Sequence, residues 1–465
     1  MVRPRQIGVS SLKMGPFYTV ASVELGNTTT KCVLMTTNLE TAEIYHVAKE
    51  VRMTRTVRAP KQEEAVFGST IVGVKLTQES VSELVSDIIT TVVNSARINL
   101  VDDLHFAVRS TGVTAGFAKP DEVGQMVKAL ADGCLSAGIP PRKMTASISP
   151  DQLSPSLQEF SWLRKVHFDG AVASSLPPAS TDVVANEMEG ELVTAGIKGA
   201  AKSTKVDFRN PVMTLDFGTT LAGRITDDSH PYGRTVGSFV GLAGAIPDAL
   251  VMGAQLADEV SGSVLDVDTF RAKFVKVEDS LVDEIHSHIR VELVPENVDR
   301  FGTVPVNPKA ASESAVALIG VDCGVNGTGL SEIRRLGRAV FEDGELNLLL
   351  SAIDLIQTRI TQRIVDVAAD EGLILPNTAL GLTGRAITTG QKPRLLNESL
   401  CIGGRRWSDE RQLLFVEDGL AIGAAVAARC MNSLGTRHNP MGGRQGDGCV
   451  MGARMKLQNK ERRSE

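Results

Sequence analysis

The chain repeats one turn pattern, with one copy in each half. The first copy covers residues 23–31 and the second covers residues 215–220. Each reads as an apolar strand followed by an acid, a glycine and a cluster of hydroxyl side chains. Glycine lets backbone N–H groups approach phosphate oxygens closely, and the carboxylate can face a hydrated cation. One copy alone is as typical of an ordinary hairpin as of a phosphate site. Two copies predict that the chain holds a nucleoside triphosphate from both sides.

Composition and charge exclude several other classes. The 465 residues suffice for two or more domains, and 42% apolar residues with a mean hydropathy of +0.02 are typical of a globular protein. The net charge of −6 gives no field that would attract nucleic acid. Because the sequence has neither a secretory signal nor a run of about 18 apolar residues, we expect no membrane partner and a cytoplasmic location.

The cysteines indicate a reducing compartment. They are scattered singly, with no pair at metal or redox spacing. The chain by itself therefore predicts neither an iron–sulfur cluster nor a zinc site. Most of them are expected to be small core residues. The six cysteines are Cys32, Cys134, Cys323, Cys401, Cys430 and Cys449.

Hydrophobic periodicity predicts two similar units. In the first, strands around 19–25, 31–37 and 44–51 precede a helix at 78–98 and a strand at 104–109. The second begins at Pro211 and repeats the strand, the turn and the next strand. It continues with a helix at 349–369, a strand at 378–382 and a closing helix at 418–431. The predicted divisions are an N-terminal extension at 1–18, a first lobe at 19–200, a second lobe at 205–431 with an irregular insertion about 261–311, and a mobile tail at 432–465.

Four motifs in this order resemble a known superfamily. Residues 24–29, 216–220, 382–385 and 417–425 are similar to the first phosphate, second phosphate, adenosine and closing-helix motifs shared by actin, sugar kinases and heat-shock chaperone ATPases. The resemblance implies an α/β protein with the two-lobed actin-like ATPase fold, which is ribonuclease H-like, with duplicated lobes around a nucleotide cleft. It also implies ATP and Mg²⁺ as cofactors. Over its whole length the chain resembles the methanogenesis marker protein 14 family of methanogenic archaea.

The resemblance assigns roles to individual residues. Glu24 and Asp216 would face Mg²⁺, and Asp216 would also be catalytic. The phosphates would lie against Gly26, Thr28, Thr29, Lys31, Gly218, Thr219 and Thr220. The adenosine would lie against Gly381 and Gly384, with Arg385 stacking on the base. Lys31 is equally compatible with a solvent-facing position, and Gly384 with an ordinary strand-to-helix turn.

Two positions depart from the superfamily pattern. Glutamate replaces the usual aspartate at Glu24, and asparagine replaces the usual threonine at Asn27. The extra methylene of Glu24 shifts a bound cation, and active sites tolerate little displacement. These departures make nucleotide binding a firmer prediction than turnover.

Glu191 is the candidate for positioning an attacking water. The segment around it resembles the linking helix of the ATP-driven activators of 2-hydroxyacyl-CoA dehydratases. The alternative is a solvated acidic helix face. The chain lacks cysteines where those activators hold an iron–sulfur cluster, which leaves a mechanical use of ATP. Asp418, at the start of the closing helix, is expected to be a plain N-terminal cap.

Three functions compete at this stage. The first is an ATP-binding and possibly ATP-hydrolysing protein that activates, reactivates or matures a partner protein of methanogenesis. Methyl-coenzyme M reductase and a corrinoid protein are the candidate partners that the resemblance implies. The second is a small-molecule kinase on the same fold, and the third is a nucleotide-binding scaffold with little turnover. A homodimer is compatible with all three.

Overall fold

The computed structural model describes residues 1–111, 120–144, 171–173, 184–229, 233–269, 272–324 and 329–434. A loop predicted at 147–156 lies outside these ranges, as does the predicted tail from residue 435 onward. Within them, no helix has both the length and the apolar character needed to cross a bilayer.

A six-stranded sheet forms the first unit, in the order β1-β4-β3-β2-β7-β8. Its strands are β1 (Arg5–Gln6), β2 (Phe17–Leu25), β3 (Thr29–Asn38), β4 (Ile44–Met53), β7 (Phe106–Thr111) and β8 (Ala171–Ala173). A separate hairpin joins β5 (Val66–Ser69) to β6 (Lys75–Thr77). The helices are α1 (Val9–Met14), α2 (Gln78–Ala96) and α3 (Pro120–Ser136). β2 runs antiparallel to β3 and parallel to β7, so the sheet is mixed.

Helix α2 shows why the sequence forms these elements. The Thr77 side chain accepts a hydrogen bond from the backbone N–H of Ser80, and the Ser80 side chain accepts one from the backbone N–H of Thr77, which satisfies two free donors at the start of the helix. Val81, Val85 and Ile88 then recur at helical spacing and are buried against the sheet. The helix predicted at 78–98 is confirmed, with its end two residues earlier.

A seven-stranded sheet forms the second unit, in the order β12-β15-β11-β10-β9-β16-β19. Its strands are β9 (Val212–Phe217), β10 (Leu221–Thr226), β11 (Thr235–Gly241), β12 (Ile289–Leu293), β15 (Ala317–Cys323), β16 (Ala379–Thr383) and β19 (Leu413–Phe415). Small hairpins pair β13 (Arg300–Phe301) with β14 (Val304–Pro305), and β17 (Cys401–Ile402) with β18 (Arg405–Arg406). The helices from residue 184 onward are α4 (Glu187–Ala201), α5 (Ala245–Gly253), α6 (Asp279–Ser287), α7 (Pro308–Glu313), α8 (Leu330–Asp370), α9 (Arg385–Thr388), α10 (Lys392–Ser399), α11 (Trp407–Glu410) and α12 (Gly419–Leu434).

The two sheets repeat one topology. The run β4-β3-β2-β7-β8 in the first sheet matches β11-β10-β9-β16-β19 in the second. In both runs the second strand is antiparallel to the first and to the third. The last two strands run parallel to the third, which is the central strand of the run. The predicted fold class, an α/β protein of the actin-like kind with duplicated lobes, is confirmed.

Helices α4 and α12 occupy equivalent places in the two units, and they lie between the sheets. Their backbones touch: a Cβ on Gly196 would lie 1.8 Å from the carbonyl oxygen of Gly419, and one on Gly423 would lie 1.9 Å from that of Leu192. One hydrophobic cluster combines apolar residues of both helices with Val20 of the first sheet and Val212 of the second. This packing fixes the two sheets close together.

Three expectations need correction. The insertion predicted to be irregular contains α6, β12 and α7, and β12 joins the second sheet antiparallel to β15. The long helix α8 begins at Leu330, well before the predicted residue 349. The glycines of segment 321–329 predict a turn there, after a strand at 315–319, but Asp322 and Cys323 instead end strand β15, because Val321 and its neighbours are buried on both faces and form one continuous strand. The N-terminal extension also pairs with the rest of the chain through β1 and through a bridge from Val2 to Val416.

Candidate functional site

The two repeated turns lie against each other. The first turn connects β2 to β3 and the second connects β9 to β10. The Thr28 hydroxyl oxygen of the first turn is 2.7 Å from the Thr219 hydroxyl oxygen of the second. Residues separated by 191 positions in the sequence therefore share one hydrogen bond. Thr29 begins β3, and Thr220 forms an isolated bridge with Leu242, so both lie at the edges of this contact.

The first turn is held by neighbouring backbone and threonine groups. The Gly26 N–H donates to the Thr29 carbonyl at 3.0 Å, and the Thr54 hydroxyl donates to the Gly26 carbonyl at 2.7 Å. Asn27, one of the two departures from the superfamily pattern, is buried and accepts a hydrogen bond from the Ile71 N–H at 2.8 Å. The asparagine thus ties the turn to the β5–β6 hairpin.

The second turn is held by the start of helix α5. The Gly244 N–H donates to the Gly218 carbonyl at 2.8 Å, and the N–H groups of Ala243 and Ala245 both donate to the Thr219 carbonyl at 3.0 Å. Gly244 must be a glycine here, because a Cβ would lie 2.5 Å from the Gly218 carbonyl oxygen. The glycine-alanine run at 241–245 predicts either a tight helix start close to the nucleotide or close packing of a helix on a strand. A helix does start at Ala245, and it fixes the second turn, while nearness to a nucleotide stays a prediction.

Glu24 and Lys31 form a partly buried pair across the first hairpin. They are cross-strand partners on β2 and β3, and the lysine nitrogen is 2.9 Å from a Glu24 carboxylate oxygen. Burial acts to lower the pKa of Lys31, but the charges of Glu24, Asp418 and Asp216 outweigh it and raise this pKa above its usual value. Lys31 therefore points inward and stays charged, which decides against the solvent-facing position.

Asp216 lies in the same charged cluster from the opposite side. Its carboxylate is 7% exposed at the end of β9. Burial raises the pKa of Asp216 to about 7; Lys31 opposes the rise, while Glu24 and Asp418 add to it. The structure thus brings Glu24 and Asp216, the two predicted cation ligands, to one lysine.

Asp418 belongs to this cluster and does not cap its helix. Its carboxylate accepts a hydrogen bond from Lys49 at 2.7 Å, which joins the first sheet to the start of α12. The Thr383 hydroxyl instead accepts from the Gly419 N–H at 3.0 Å. The expectation of a plain aspartate cap was wrong, because the left-handed backbone of Asp418, with φ of 55°, directs the side chain toward the cleft.

Arg385 contacts the phosphate-type turns. Its guanidinium pairs with Asp248 of α5, and one nitrogen donates to the Thr28 hydroxyl at 3.1 Å. Asp248 is buried and also accepts from the Ser263 hydroxyl at 2.8 Å. The stacking of Arg385 on an adenosine base stays a prediction; in this arrangement a buried carboxylate from another helix holds the guanidinium beside the first turn.

The two glycines predicted to contact adenosine have other neighbours. Gly381 packs in the core, where a Cβ would lie 2.6 Å from both Ile197 and Phe208 side chains. Gly384, with φ of 94°, presses on the second turn, and a Cβ there would lie 2.3 Å from an Asp216 carboxylate oxygen. The adenosine role of Gly381 stays a prediction, and its core neighbours count against it; Gly384 contacts the acid of the second turn.

Glu191 lies on α4 and forms an ion pair with Arg224 of β10. Burial raises the pKa of the Glu191 carboxyl, and the charge of Arg224 opposes this rise. Arg224 also donates to the Thr194 hydroxyl at 3.1 Å. The role in positioning water stays a prediction, and the ion pair counts against it because a guanidinium already holds the carboxylate.

Sequence reasoning missed Asp248 and Lys49, and it misread Asp418. An acid in the first turn of a helix, as at Asp248, is ordinary for reasons of dipole and capping, so the sequence contained no distinguishing signal. Lys49 lies in a strand of mixed exposure. Asp418 belongs to the closing-helix motif, and that motif says nothing about neighbouring acids. Its nearness to two other acids depends on the packing of α12 between the sheets.

The cluster has the charge pattern of a hydrated cation site. Three carboxylates, those of Glu24, Asp216 and Asp418, face two ammonium groups, those of Lys31 and Lys49, which leaves one negative charge in excess. A divalent ion that keeps most of its water needs only one or two carboxylates in addition to phosphate oxygens. A tighter site is not formed: among the residues described, no group of three or more His, Cys, Asp or Glu is arranged to hold a metal ion directly.

The free cysteines in this part of the chain are core residues. Cys32, Cys134 and Cys323 are buried, and Cys401 is partly exposed. Burial raises the pKa of the Cys134 thiol to about 12, which keeps it protonated. Cys32, Cys134 and Cys323 are therefore packing residues of the core, which agrees with the expectation for most of the cysteines.

The fold and the turns define a class: two-lobed α/β proteins of the actin-like kind, whose repeated units meet at paired glycine-containing turns. The chain belongs to the family described as an uncharacterized protein conserved in archaea (DUF2114), which matches residues 17–458. An uncharacterized protein of Methanocaldococcus jannaschii is 49% identical over 461 residues, or 99% of this chain and 95% of that protein. Another from Methanothermobacter thermautotrophicus is 50% identical over 456 residues, or 97% and 85%. Both relatives come from methanogens.

Two solved structures are similar at low scores. The ethanolamine utilization protein EutJ from Carboxydothermus hydrogenoformans is 12% identical, with a TM-score of 0.35 over 88% of this chain and 89% of that chain. The PPX-GPPA enzyme from Aquifex aeolicus is 10% identical, with a TM-score of 0.27 over 74% and 93%. Neither likeness assigns a function to this chain, because both TM-scores are below 0.5.

Proposed function

We propose that this protein binds Mg²⁺ and ATP between its two repeated turns and uses closure of its lobes to act on a partner protein. The observation that carries the proposal is the 2.7 Å contact between the Thr28 and Thr219 hydroxyls above a shared cluster of acids. Each hydroxyl comes from a different lobe. A ligand bound there contacts both lobes and shifts the balance between open and closed forms by its differential affinity.

Each group of the cluster has a distinct part in this proposal. Asp216 and Glu24 hold the hydrated cation, which supplies charge neutralisation for the phosphates when it is bound. Lys31 holds the Glu24 carboxylate in place through their ion pair. Thr28 and Thr219 exchange their mutual hydrogen bond for phosphate oxygens, so the two turns separate enough to admit the ligand.

Arg385 fits the role of a phosphate sensor. It already pairs with Asp248, and it reaches Thr28 of the opposite turn at 3.1 Å. A guanidinium forms bidentate hydrogen bonds to phosphate as readily as to carboxylate. Moving from Asp248 to a phosphate frees the Asp248 carboxylate, which is bonded to Ser263 and to the Val264 N–H. Because Asp266 of that same segment pairs with Arg55 of the first lobe, the exchange links the nucleotide to a second contact between the lobes.

The family indicates the setting. The chain covers nearly the full length of relatives from two methanogens. We propose that the family is the one known as methanogenesis marker protein 14, and that the protein activates, reactivates or matures a component of methane formation in the cytoplasm. Methyl-coenzyme M reductase and a corrinoid protein are the candidate partners.

A second candidate is a nucleotide-binding scaffold with little turnover. It is favoured by the ion pair between Glu191 and Arg224, because that carboxylate is the candidate for activating water and is already held by a guanidinium. In this version ATP binding alone sets the lobe arrangement. The same residues bind the nucleotide in both candidate functions, and the two differ only in whether the γ-phosphate is hydrolysed.

The test is calorimetric titration of the full chain with Mg²⁺–ATP. Asp216→Asn should weaken binding at least roughly a hundredfold, because a buried cation contact is lost. Asp228→Asn is the matched control: this aspartate is exposed at the far end of the same hairpin, and its variant should bind as the parent does. Equal binding by Asp216→Asn and the parent would refute the site. ATP hydrolysis measured with and without each candidate partner then separates an activation factor, which the partner stimulates, from a scaffold.

A further inference from the structure

A second concave site lies at the junction of α5 and α8, remote from the repeated turns. Its cavity volume is about 310 Å³, and its polar lining consists of Arg334, Arg335, Arg338, Gln255 and Glu259. This volume is at the lower end of the range of about 300–1,000 Å³ that is typical of small-molecule sites. Helix α5 separates it from the candidate nucleotide site: the nine residues from Ala245 to Gly253 span about 13 Å at 1.5 Å per residue.

Close backbone packing makes the walls of this cavity rigid. A Cβ on Gly253 would lie 1.8 Å from the carbonyl oxygen of Arg334, and one on Gly337 would lie 2.1 Å from that of Leu250. The two helices therefore touch through glycines, and the side chains beside these glycines project from fixed backbones. The corner between the helices is formed in advance of any ligand.

The arginines in the cavity are incompletely neutralised. Arg335 pairs with Glu332 at 2.9 Å. Arg334 reaches only the thioether sulfur of Met252, at 3.6 Å, and its Nε is buried without an acceptor in the described part of the chain. Arg338 forms no ion pair with any residue that the structure describes, and it lies one helical turn from Arg334. Like charges at this spacing repel each other, and a buried N–H without an acceptor is costly.

One acid adds a negative charge to the otherwise basic lining of the cavity. Glu259 accepts a hydrogen bond from the Gln255 side-chain amide at 3.0 Å, and both residues line the cavity together with the arginines. A ligand with two anionic ends would meet repulsion there. A ligand with an anionic end and hydroxyl groups can pair with the arginines through its anionic end and with Glu259 through its hydroxyls, because hydroxyls donate hydrogen bonds to a carboxylate.

We propose that this cavity binds a small phosphate ester that bears hydroxyl groups, of the sugar phosphate class. Its phosphate pairs with Arg334 and Arg338, and it supplies the acceptor that the buried Arg334 Nε lacks. Its hydroxyls donate to Glu259. The proposal is independent of the nucleotide site, because it uses none of the residues of the repeated turns.

The experiment is calorimetric titration of the full chain with glucose 6-phosphate, inorganic phosphate, glucose and citrate. Glucose 6-phosphate should bind more tightly than the other three. The double variant Arg334→Gln/Arg338→Gln should weaken its binding about tenfold or more. Arg359→Gln is the control on the same helix: it removes an arginine that is paired with Asp283 outside the cavity, and its affinity should stay within about twofold of the parent.

Further variants keep the test decisive if the double variant does not fold. Glu259→Gln should reduce the preference for glucose 6-phosphate over inorganic phosphate, because a charged acceptor for the hydroxyls is lost. Asp216→Asn should bind the sugar phosphate as the parent does, which separates this site from the nucleotide site. Equal affinity for glucose and its phosphate, tighter binding of citrate, or an unchanged affinity in the arginine double variant would each overturn the proposal.

Discussion

The two repeated turns share their backbone plan and differ in charge. In the first hairpin the acid Glu24 lies opposite Lys31 on the neighbouring strand. In the second hairpin the acid Asp216 lies opposite Ala222, at the equivalent pairing position. The first acid is therefore neutralised within its own hairpin. The second is buried, and its nearest cation is the lysine of the other hairpin.

This difference teaches that the duplication is not functionally symmetric. Each hairpin alone would form a stable turn, since strand pairing and glycine satisfy its backbone. Lys31 of the first hairpin instead offsets the negative charge of the acids of both hairpins, and it also interacts with the charge of Asp418. The net charge of the cluster therefore depends on both lobes being close together, which makes it suited to respond to their separation.

The largest expected effect comes from removing the shared lysine. Lys31→Met makes the first hairpin resemble the second and leaves the partly buried Glu24 beside two other carboxylates. Breaking a fully buried pair by removing one partner costs about 3–5 kcal/mol of unfolding free energy. We expect about 3 kcal/mol in chemical denaturation, the lower end of this range, because both side chains keep some exposure. The double variant Glu24→Gln/Lys31→Met removes both charges and should recover to within about 1 kcal/mol of the parent. A single variant as stable as the parent would show that the pair is not buried in solution.

The second effect is a pH dependence confined to the second hairpin. Burial raises the pKa of Asp216 from 3.8 to about 7, so the folded state binds the proton more tightly than the unfolded state does. The stability contributed by the protonated form is fully present below about pH 4 and is lost as the pH rises through 7. Compared with Asp216→Asn, the parent should therefore lose on the order of 3 kcal/mol between pH 4 and pH 8. Denaturation curves at several pH values measure this difference. Asp228→Asn should track the parent throughout, and a constant difference between Asp216→Asn and the parent would contradict the burial of Asp216.

The third effect tests the close contact between Gly384 and the second turn. Gly384 and Gly404 both have left-handed backbones, with φ of 94° and 77°, but only Gly384 would place a Cβ against other atoms. Gly404→Ala isolates the backbone strain, which costs about 1 kcal/mol. Gly384→Ala should cost about 2 kcal/mol more in unfolding free energy, because the methyl group displaces Asp216 and the Phe217 backbone. Equal costs for the two variants would mean that Gly384 does not contact the second turn.

The sequence was informative about local structure because local rules decide it. The strand, turn and strand of each hairpin follow from alternating apolar residues and glycine, and their repetition predicts the duplicated topology. Helix α2 follows from its capping residues and its apolar stripe. The first part of α8 was missed because Arg334, Arg335 and Arg338 interrupt the apolar pattern that marks its second part.

The candidate site was less predictable because its contacts join distant residues. Glu24, Thr28, Asp216 and Thr219 could be selected from local motifs, and the structure brings all four together. Arg385 was assigned to a base-stacking role because its partner Asp248 lies 137 residues away, and no local pattern specifies that pairing. The surroundings of Gly381 were unpredictable for a similar reason, since the core residues that pack against it come from α4 and the loop after it.

The smallest expected effect asks whether the two turns act as one unit. Thr28→Val and Thr219→Val each remove one hydroxyl of the contact between the lobes, and a double-mutant cycle isolates the interaction from other effects of each change. The coupling should be about 1 kcal/mol in unfolding free energy, the value of a typical hydrogen bond. Thr220→Val combined with Thr28→Val is the control, because Thr220 lies beside Leu242 at the edge of the second turn, and its coupling to Thr28 should be close to zero. Because the contact must open to admit a phosphate between the hydroxyls, Thr28→Val should also leave the affinity for Mg²⁺–ATP less reduced than Asp216→Asn does. Absence of coupling would mean that the contact between the two turns contributes nothing to stability. The asymmetry of charge between the hairpins could then not respond to the separation of the lobes.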